Sequence, residues 1–311
     1  MGSARTVGVL EIGGSHLTAA LVDPVPPTIG PVFRAALDPT SSAVQIVSSM
    51  AAAARRVLNE TLTVASAVPV LIPWGIAIPG PFDYAAGIGK FTGVGKFQNL
   101  DGVELGRALA PRMDPPPRSL TFINDAEAFL LGEWWAGAAS GFERCVGLTL
   151  GTGVGSAFLR DGTVIDRGPT VPPAGHAYRL HIDGRPLEDV VSTRAIIRHY
   201  QRGRPDAGPP DGVRAVAELA RSGDPVARTV IGEAFTALGR AIAPWLDRFD
   251  AQVLVVGGSM TTAWDLIGPA LHEGLEPTPG GAVQLRISWN SESAALLGAA
   301  RVVISRDPDA A

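Results

Sequence analysis

Three glycine-rich turns stand out among the residues of this 311-residue chain that could do chemistry. They are Gly13-Gly14-Ser15, Gly151-Thr152-Gly153 and Gly257-Gly258-Ser259. Glycine lets backbone N–H groups approach a ligand with no Cβ in the way, and successive N–H groups in a turn can hold an anion. One such turn would indicate only a chain reversal. Three of them, each after an apolar run, together favour a phosphate-binding site.

Acidic residues accompany two of the apolar runs. Glu11 lies in the run 7–12, just before the first turn, and Asp125 directly follows the run 119–124. Glu11 could face a metal ion, or it could be an ordinary hairpin residue. Asp125 could take a proton from a substrate hydroxyl, or it could cap the helix that begins there. Neither a Walker pattern nor a Gly-x-Gly-x-x-Gly run that opens a helix is present, so a nucleotide site would be of another type.

The elements that must position these residues follow from the hydrophobic periodicity. The predicted strands are 7–12, 16–22, 70–78, 119–124, 144–151, 252–256 and 283–288. The predicted helices are 42–60, 126–138, 189–201, 213–222, 224–247 and 291–305. The proline-rich segments 24–40 and 202–212 are predicted to be loops. Strands that alternate with helices indicate an α/β fold, and the glycine hairpin at 11–15 recurs weakly at 151–155.

The composition excludes several classes of protein. A chain that is 46% hydrophobic and 18% charged is globular, and its length is sufficient for two lobes with cores of their own. A net charge of -4 argues against a nucleic-acid partner, and prolines interrupt the apolar runs before they could span a membrane. Cys145 is the only cysteine, which excludes an intrachain disulfide and a thiolate zinc cluster. We therefore expect a cytoplasmic protein.

Five segments resemble, in the correct order, motifs of the ROK family of sugar kinases. They are LEIGGSHLTAALVD (10–23), GIAIPGPFD (75–83), FINDAEAFLLGE (122–133), LTLGTGVGSAFLRDGTVIDRG (148–168) and LVVGGSM (254–260). The resemblance implies a two-lobed actin-like ATPase (ribonuclease H-like) fold of the α/β class, with the active site in the cleft between the lobes. The small lobe would contain residues 1–123 and 290–311, and the large lobe residues 124–289.

The resemblance also implies an activity, which is the ATP-dependent, Mg²⁺-assisted transfer of a phosphoryl group to a hydroxyl of a hexose or a sugar-like cyclitol. Asp125 would be the general base. Glu11 stands where the family has Asp, and we expect it to reach Mg²⁺ through water. ATP would be held at Gly13, Gly14, Ser15, Gly151, Thr152, Gly153, Gly257, Gly258 and Ser259. The acceptor would be bound by Gly80, Asn99, Asn124, His176 and Glu188.

The segment 172–196 departs from the family pattern. Gly175-His176 and Leu187-Glu188 match, but Pro173 stands where the family has Glu, and the zinc-binding cysteines are missing. We therefore expect no zinc site. A site built on hydrogen bonds discriminates strongly between hydroxyl patterns, because unpaired buried polar groups are costly. The loss of one carboxylate favours an acceptor with a missing or differently placed hydroxyl, as in a cyclitol.

Two other functions remain as alternatives. A ROK transcriptional regulator would carry an N-terminal helix-turn-helix domain, for which the hairpin that begins at residue 7 leaves no room. A catalytically inactive sugar-binding protein of the same fold is kept open by Glu11 and Pro173. Lys90 and Lys96 could face a phosphate, but both are interpreted as residues of a solvated loop. We expect ATP and a small polyhydroxylated substrate as partners, no nucleic acid or membrane, and a homodimer.

Overall fold

The computed structural model describes residues 6–61, 71–275 and 283–306. Contacts divide the chain into two compact units. Unit 1 contains Met1–Gly137 and Glu292–Ala311, and unit 2 contains Ala138–Ser291. Among the described residues, no helix is both long enough and apolar enough to span a membrane.

The sheet of unit 1 has the strand order β3-β2-β1-β4-β7. Its strands are β1 (Val7–Ile12), β2 (His16–Pro24), β3 (Pro27–Ala36), β4 (Pro73–Ile78) and β7 (Ser119–Asn124), and a separate small hairpin contains β5 (Phe82–Asp83) and β6 (Ile88–Gly89). β1 pairs with β2 in the antiparallel sense, whereas β4 is parallel to both β1 and β7. Glu11 lies opposite Ala77, and Ile78 lies opposite Asn124. The carboxyl ends of β1, β4 and β7 therefore meet at one edge of the sheet.

The sheet of unit 2 has the order β10-β9-β8-β13-β14. Its strands are β8 (Arg144–Leu150), β9 (Val154–Arg160), β10 (Thr163–Val164), β13 (Val253–Gly257) and β14 (Gln284–Ile287), and a small hairpin contains β11 (His181–Ile182) and β12 (Arg185–Pro186). As in unit 1, an antiparallel hairpin is followed by two parallel strands. The weak repeat of the glycine hairpins thus coincides with a repeat of sheet topology.

Helices cover the sheets, and each unit has its own apolar core. Unit 1 contains α1 (Ala43–Thr61), α2 (Leu105–Leu109), α3 (Asp125–Ala136) and most of α9 (Ser291–Arg306). Unit 2 contains α4 (Glu188–Val191), α5 (Thr193–Gly203), α6 (Gly212–Arg221), α7 (Pro225–Phe249) and α8 (Trp264–Leu275). Fully buried aromatic side chains anchor both cores, among them Trp74 in unit 1 and Phe235 in unit 2.

The boundary between the units falls later than residue 123, where the sequence analysis placed it. Helix α3 belongs to unit 1 because it packs closely against α9. A Cβ atom added to Gly132 would meet the carbonyl of Ala294, and one added to Gly298 would meet the carbonyl of Ala128. These two glycines let the backbones of α3 and α9 approach each other closely. Helix α3, which follows β7, therefore packs against the last helix of the chain.

Two predicted elements differ from the structure. The segment 24–40, predicted to be a loop, contains β3, which is the edge strand of its sheet. Proline is tolerated at a sheet edge and at the start of a strand, so the prolines of this segment misled the prediction. The predicted helix 189–201 is divided at Ser192, which is extended and whose side chain caps α5 by accepting a hydrogen bond from the Ala195 N–H. Residue 70 of the predicted strand 70–78 lies outside the described residues.

Candidate functional site

Asn124 and Asp125 lie at the point where β7 passes into α3. The Asn124 side chain is the helix cap, because its Oδ1 accepts hydrogen bonds from the N–H groups of Ala126 (3.0 Å) and Glu127 (3.3 Å). Its Nδ2 donates to Tyr84 Oη (3.0 Å). The capping role that the sequence left open for Asp125 is thus carried by its neighbour.

Asp125 is the first residue of α3 and is partly buried. Its Oδ1 accepts a hydrogen bond from the Ala126 N–H (2.9 Å). Burial raises the pKa of the Asp125 carboxyl above its ordinary value, and the hydrogen bond from the Ala126 backbone opposes that rise. A carboxylate with a raised pKa is a stronger proton acceptor, which suits a general base.

Gly80 lies beside Asn124, whereas Asn99 contacts the segment that precedes α1. A Cβ atom added to Gly80 would lie 3.3 Å from Tyr84 Oη and 4.0 Å from Asn124 Nδ2. The Asn99 side chain is exposed, and its Nδ2 donates to the backbone carbonyls of Thr40 (2.9 Å) and Ser41 (3.0 Å). Its amide nitrogen therefore secures the segment before α1, and its amide oxygen is the atom left for a substrate hydroxyl.

The first glycine turn is a two-residue hairpin loop with a cation against it. The Gly13 N–H donates to the His16 carbonyl (2.8 Å), which closes the loop around Gly14 and Ser15. A Cβ atom added to Gly14 would lie 2.5 Å from Lys96 Nζ, so the ammonium group lies against the turn. Lys90 instead pairs with Asp83, with 3.2 Å between Nζ and Oδ2. Lys96, which was interpreted as a solvated loop residue, is thus half-buried and contacts the first glycine turn.

Glu11 has a carboxylate oxygen, Oε2, that is out of contact with solvent and has no hydrogen-bond partner. The pKa of Glu11 is raised to about 8, chiefly by burial and further by Glu292 and Asp125, while Arg34 lowers it. An orphaned buried carboxylate oxygen fits a bound cation, which would supply the missing partner. Taken by itself, the Glu11 carboxylate therefore suits the Mg²⁺ that the resemblance implies.

Glu11 has two neighbours that the sequence analysis did not single out. One ligand atom each from Glu11, His16 and Glu292 lies within 4.8 Å of the other two. Burial and the nearby Arg34 lower the pKa of His16, so its imidazole is neutral at physiological pH. Glu292 comes from the start of α9, at the far end of the chain, and no local pattern connects it with Glu11.

The second and third glycine turns adjoin each other in unit 2 because β8 and β13 are parallel neighbours. A Cβ atom added to Gly151 would lie 3.4 Å from Ser259 Oγ. Gly258 has φ 94°, a conformation that favours glycine, and a Cβ there would also meet the backbone of Leu150. The Gly258 N–H donates to Ser291 Oγ (2.9 Å). The second and third of the three turns that the sequence assigned to the nucleotide thus form one surface.

Glu188 lies on the second turn. Its Oε1 accepts a hydrogen bond from the Val154 N–H (2.9 Å), and a Cβ atom added to Gly153 would meet the same oxygen. The Gly151 N–H donates to the Gly153 carbonyl (3.1 Å), so it also has a partner within the turn. The groups of this turn that remain for an anion are the N–H groups of Thr152 and Gly153.

His176 is half-buried and stacks on Tyr178, with ring centroids 5.1 Å apart. Burial, followed by the charge of Arg179, lowers the pKa of His176, so the imidazole is neutral near pH 7. Ser156 fixes this segment, because its Oγ donates to the Gly175 carbonyl (2.7 Å) and accepts from the Ala177 N–H (2.7 Å). A neutral imidazole on such a fixed segment can donate or accept one hydrogen bond with a hydroxyl group.

Comparisons with known proteins identify the family and the fold. A family model described as "ROK family" matches residues 7–306. A glucokinase of Thermotoga maritima is 31% identical over 256 residues, which cover 75% of this chain and 79% of that protein. The structure of a ROK hexokinase from Thermus thermophilus matches with a TM-score of 0.77 and 23% identity, over 97% of this chain and 100% of that chain. A ROK family glucokinase from Streptomyces griseus, in complex with glucose and AMPPNP, matches with a TM-score of 0.72 and 23% identity, over 96% and 98% of the two chains.

The two sheets of like topology and the structural matches show the class of fold, which is the actin-like ATPase fold. Within that class, the chain belongs to the ROK family. The predicted α/β fold and the predicted family are both confirmed.

Proposed function

We propose that the chain transfers the γ-phosphoryl group of ATP to a hydroxyl of a hexose or a sugar-like cyclitol. The observation that carries the proposal is Asp125, a partly buried carboxylate with a raised pKa, at a strand end whose helix-capping role Asn124 has taken. The similarity to the glucokinase of Thermotoga maritima supports a sugar as the acceptor class. The complex of the Streptomyces griseus glucokinase with glucose and AMPPNP supports an adenine nucleotide as the donor.

The chemistry requires a proton acceptor and a stabilised phosphoryl group more than covalent catalysis. Asp125 accepts the proton of the acceptor hydroxyl, whose oxygen forms a bond to the γ-phosphorus. The bond between that phosphorus and the β–γ bridging oxygen breaks, and its electron pair remains on ADP. Glu11 would hold Mg²⁺, which neutralises phosphate charge when it is bound. Lys96, at the first turn, adds a second positive charge for the phosphates.

In unit 1, the Asn124 side chain and the backbone of Gly80 can read hydroxyl positions of an acceptor. In unit 2, the neutral imidazole of His176 can donate or accept one hydrogen bond with a hydroxyl group. Pro173 is exposed and replaces a carboxylate of the family pattern, so one hydroxyl contact is missing. This loss supports a cyclitol, or a sugar altered near its anomeric carbon, as the preferred acceptor.

The test is a phosphotransfer assay with ATP, Mg²⁺ and a panel of hexoses and their carbocyclic analogues. We expect transfer to at least one acceptor, with a higher kcat/KM for a cyclitol than for glucose. A glucose preference would contradict the cyclitol assignment and leave the kinase assignment intact. Binding of sugars without transfer to any acceptor would overturn the kinase assignment and favour the inactive sugar-binding alternative.

A further inference from the structure

We propose that Glu11, His16 and Glu292 form a direct binding site in unit 1 for a divalent transition-metal ion, and that this site fills without nucleotide. The proposal extends the metal role assigned to Glu11 under the proposed function, and it changes the chemistry of the site. A donor set of two carboxylates and an imidazole suits Mn²⁺ and its neighbours better than Mg²⁺, which prefers oxygen ligands and retains its waters.

The geometry is the first support. The three ligand atoms lie within 4.8 Å of one another. Ligands held about 2.1 Å from a shared ion lie up to about 4.2 Å apart, so small side-chain rotations would bring all three onto one ion. The three residues belong to β1, β2 and α9, whose backbones are secured by regular hydrogen bonding. Rigid elements of this kind hold metal ligands more accurately than loops do.

The second support is the orphaned oxygen of Glu11. Oε2 is buried without a hydrogen-bond partner, although carboxylate oxygens in protein interiors are almost always bonded. The carboxylate of Glu292 also lies beside Glu11, so two acids share one partly buried space. A cation between them would satisfy the orphaned oxygen and would stabilise the ionised form of Glu11 beside Glu292.

The third support is the set of residues around the ligands. Thr18 Oγ1 donates to Glu292 Oε1 (2.5 Å), and Arg34 Nη1 donates to Glu292 Oε2 (3.0 Å). The imidazole of His16 packs against Gly13, because a Cβ atom added there would lie 2.6 Å from His16 Cε1. Outer residues that donate hydrogen bonds to a carboxylate ligand, as Thr18 and Arg34 do to Glu292, are typical of metal sites.

The experiment uses the full chain without nucleotide. Mn²⁺ is titrated, and free Mn²⁺ is followed by its room-temperature EPR signal, with Mg²⁺ added as a competitor. We expect one Mn²⁺ per chain. We expect His16→Gln to weaken Mn²⁺ binding about tenfold or more, with less than a threefold change in Mg²⁺ competition. Glu292→Gln should weaken the binding of both ions.

His181→Gln and Glu60→Gln are the matched controls, because both residues are exposed and lie outside the three-residue site. Thermal unfolding of each variant verifies folding, and His16→Gln carries the test if Glu292→Gln does not fold. Absence of Mn²⁺ binding to the wild-type chain, or a His16→Gln titration equal to that of His181→Gln, would overturn the proposal. Absence of phosphoryl transfer would overturn the proposed function alone, since this titration needs no turnover.

Discussion

The glycine turns after β1 and β8 occupy the same position in two sheets of like strand order, yet opposite charges lie against them. The ammonium group of Lys96 lies against Gly14 in the first turn. The carboxylate of Glu188 accepts the Val154 N–H at the second turn. Both turns offer backbone N–H groups, so the N–H groups alone do not distinguish them. We therefore expect Lys96 to favour a phosphate oxygen at the first turn and Glu188 to oppose one at the second.

The largest effect should come from removing the base at the end of β7, which tests whether unit 1 carries the chemistry. Asp125→Asn keeps the shape of the side chain but cannot accept the proton, so kcat should fall about 10²- to 10⁴-fold. Steady-state kinetics measures kcat, and calorimetry measures acceptor binding, which should change little. If the variant retains more than a tenth of the wild-type kcat, Asp125 is not the base.

The second-largest effect should come from removing the positive charge beside the first glycine turn. The two turns would then no longer have opposite charges beside them. Lys96→Met removes the positive charge at Gly14, and kcat/KM for ATP should fall about tenfold to a hundredfold. Lys90→Met is the matched control, because Lys90 pairs with Asp83 and should have little influence on kinetics. Equal kinetics for the two variants would contradict the role of Lys96.

A smaller effect should come from removing the negative charge beside the second glycine turn. Glu188→Gln keeps an oxygen that can accept the Val154 N–H but removes the negative charge from the second turn. We expect the KM for ATP to fall about threefold, because the turn no longer repels a phosphate. A rise in the acceptor KM in the same variant would support a contact between Glu188 and the sugar. An unchanged KM for both substrates would argue against either role.

The smallest effect concerns β8, the strand that leads into the second turn. Burial raises the pKa of the Cys145 thiol to about 12, so the thiol stays protonated and sheltered at pH 8. Iodoacetamide should therefore leave the native chain unmodified at pH 8, as measured by mass spectrometry. In denaturant, the same reagent should label Cys145 fully. Rapid labelling of the native chain would mean that the start of β8 opens readily.

The local elements of this protein were predictable from its sequence because they depend on near neighbours along the chain. The strand 119–124 and the hairpins around residues 13–15 and 161–162 follow from apolar periodicity and glycine placement, and the structure shows them. Asn124-Asp125 was identified as a candidate site for the same reason. The prediction failed at β3, where pairing with β2 at a sheet edge outweighed the signal of the prolines.

What only the tertiary structure decided is which charged side chains lie beside each predicted turn. Lys96 reaches Gly14, Glu292 reaches Glu11, and Glu188 reaches Val154, each from a distant part of the sequence. The order of the strands brings these residues together, and no local spacing encodes that order. The sequence by itself thus determined the positions of the glycine turns and of Asn124-Asp125, at which we propose that ligands of this ROK protein bind. The tertiary structure decided the charge at each place, because Coulomb interactions depend on distance in space rather than along the chain.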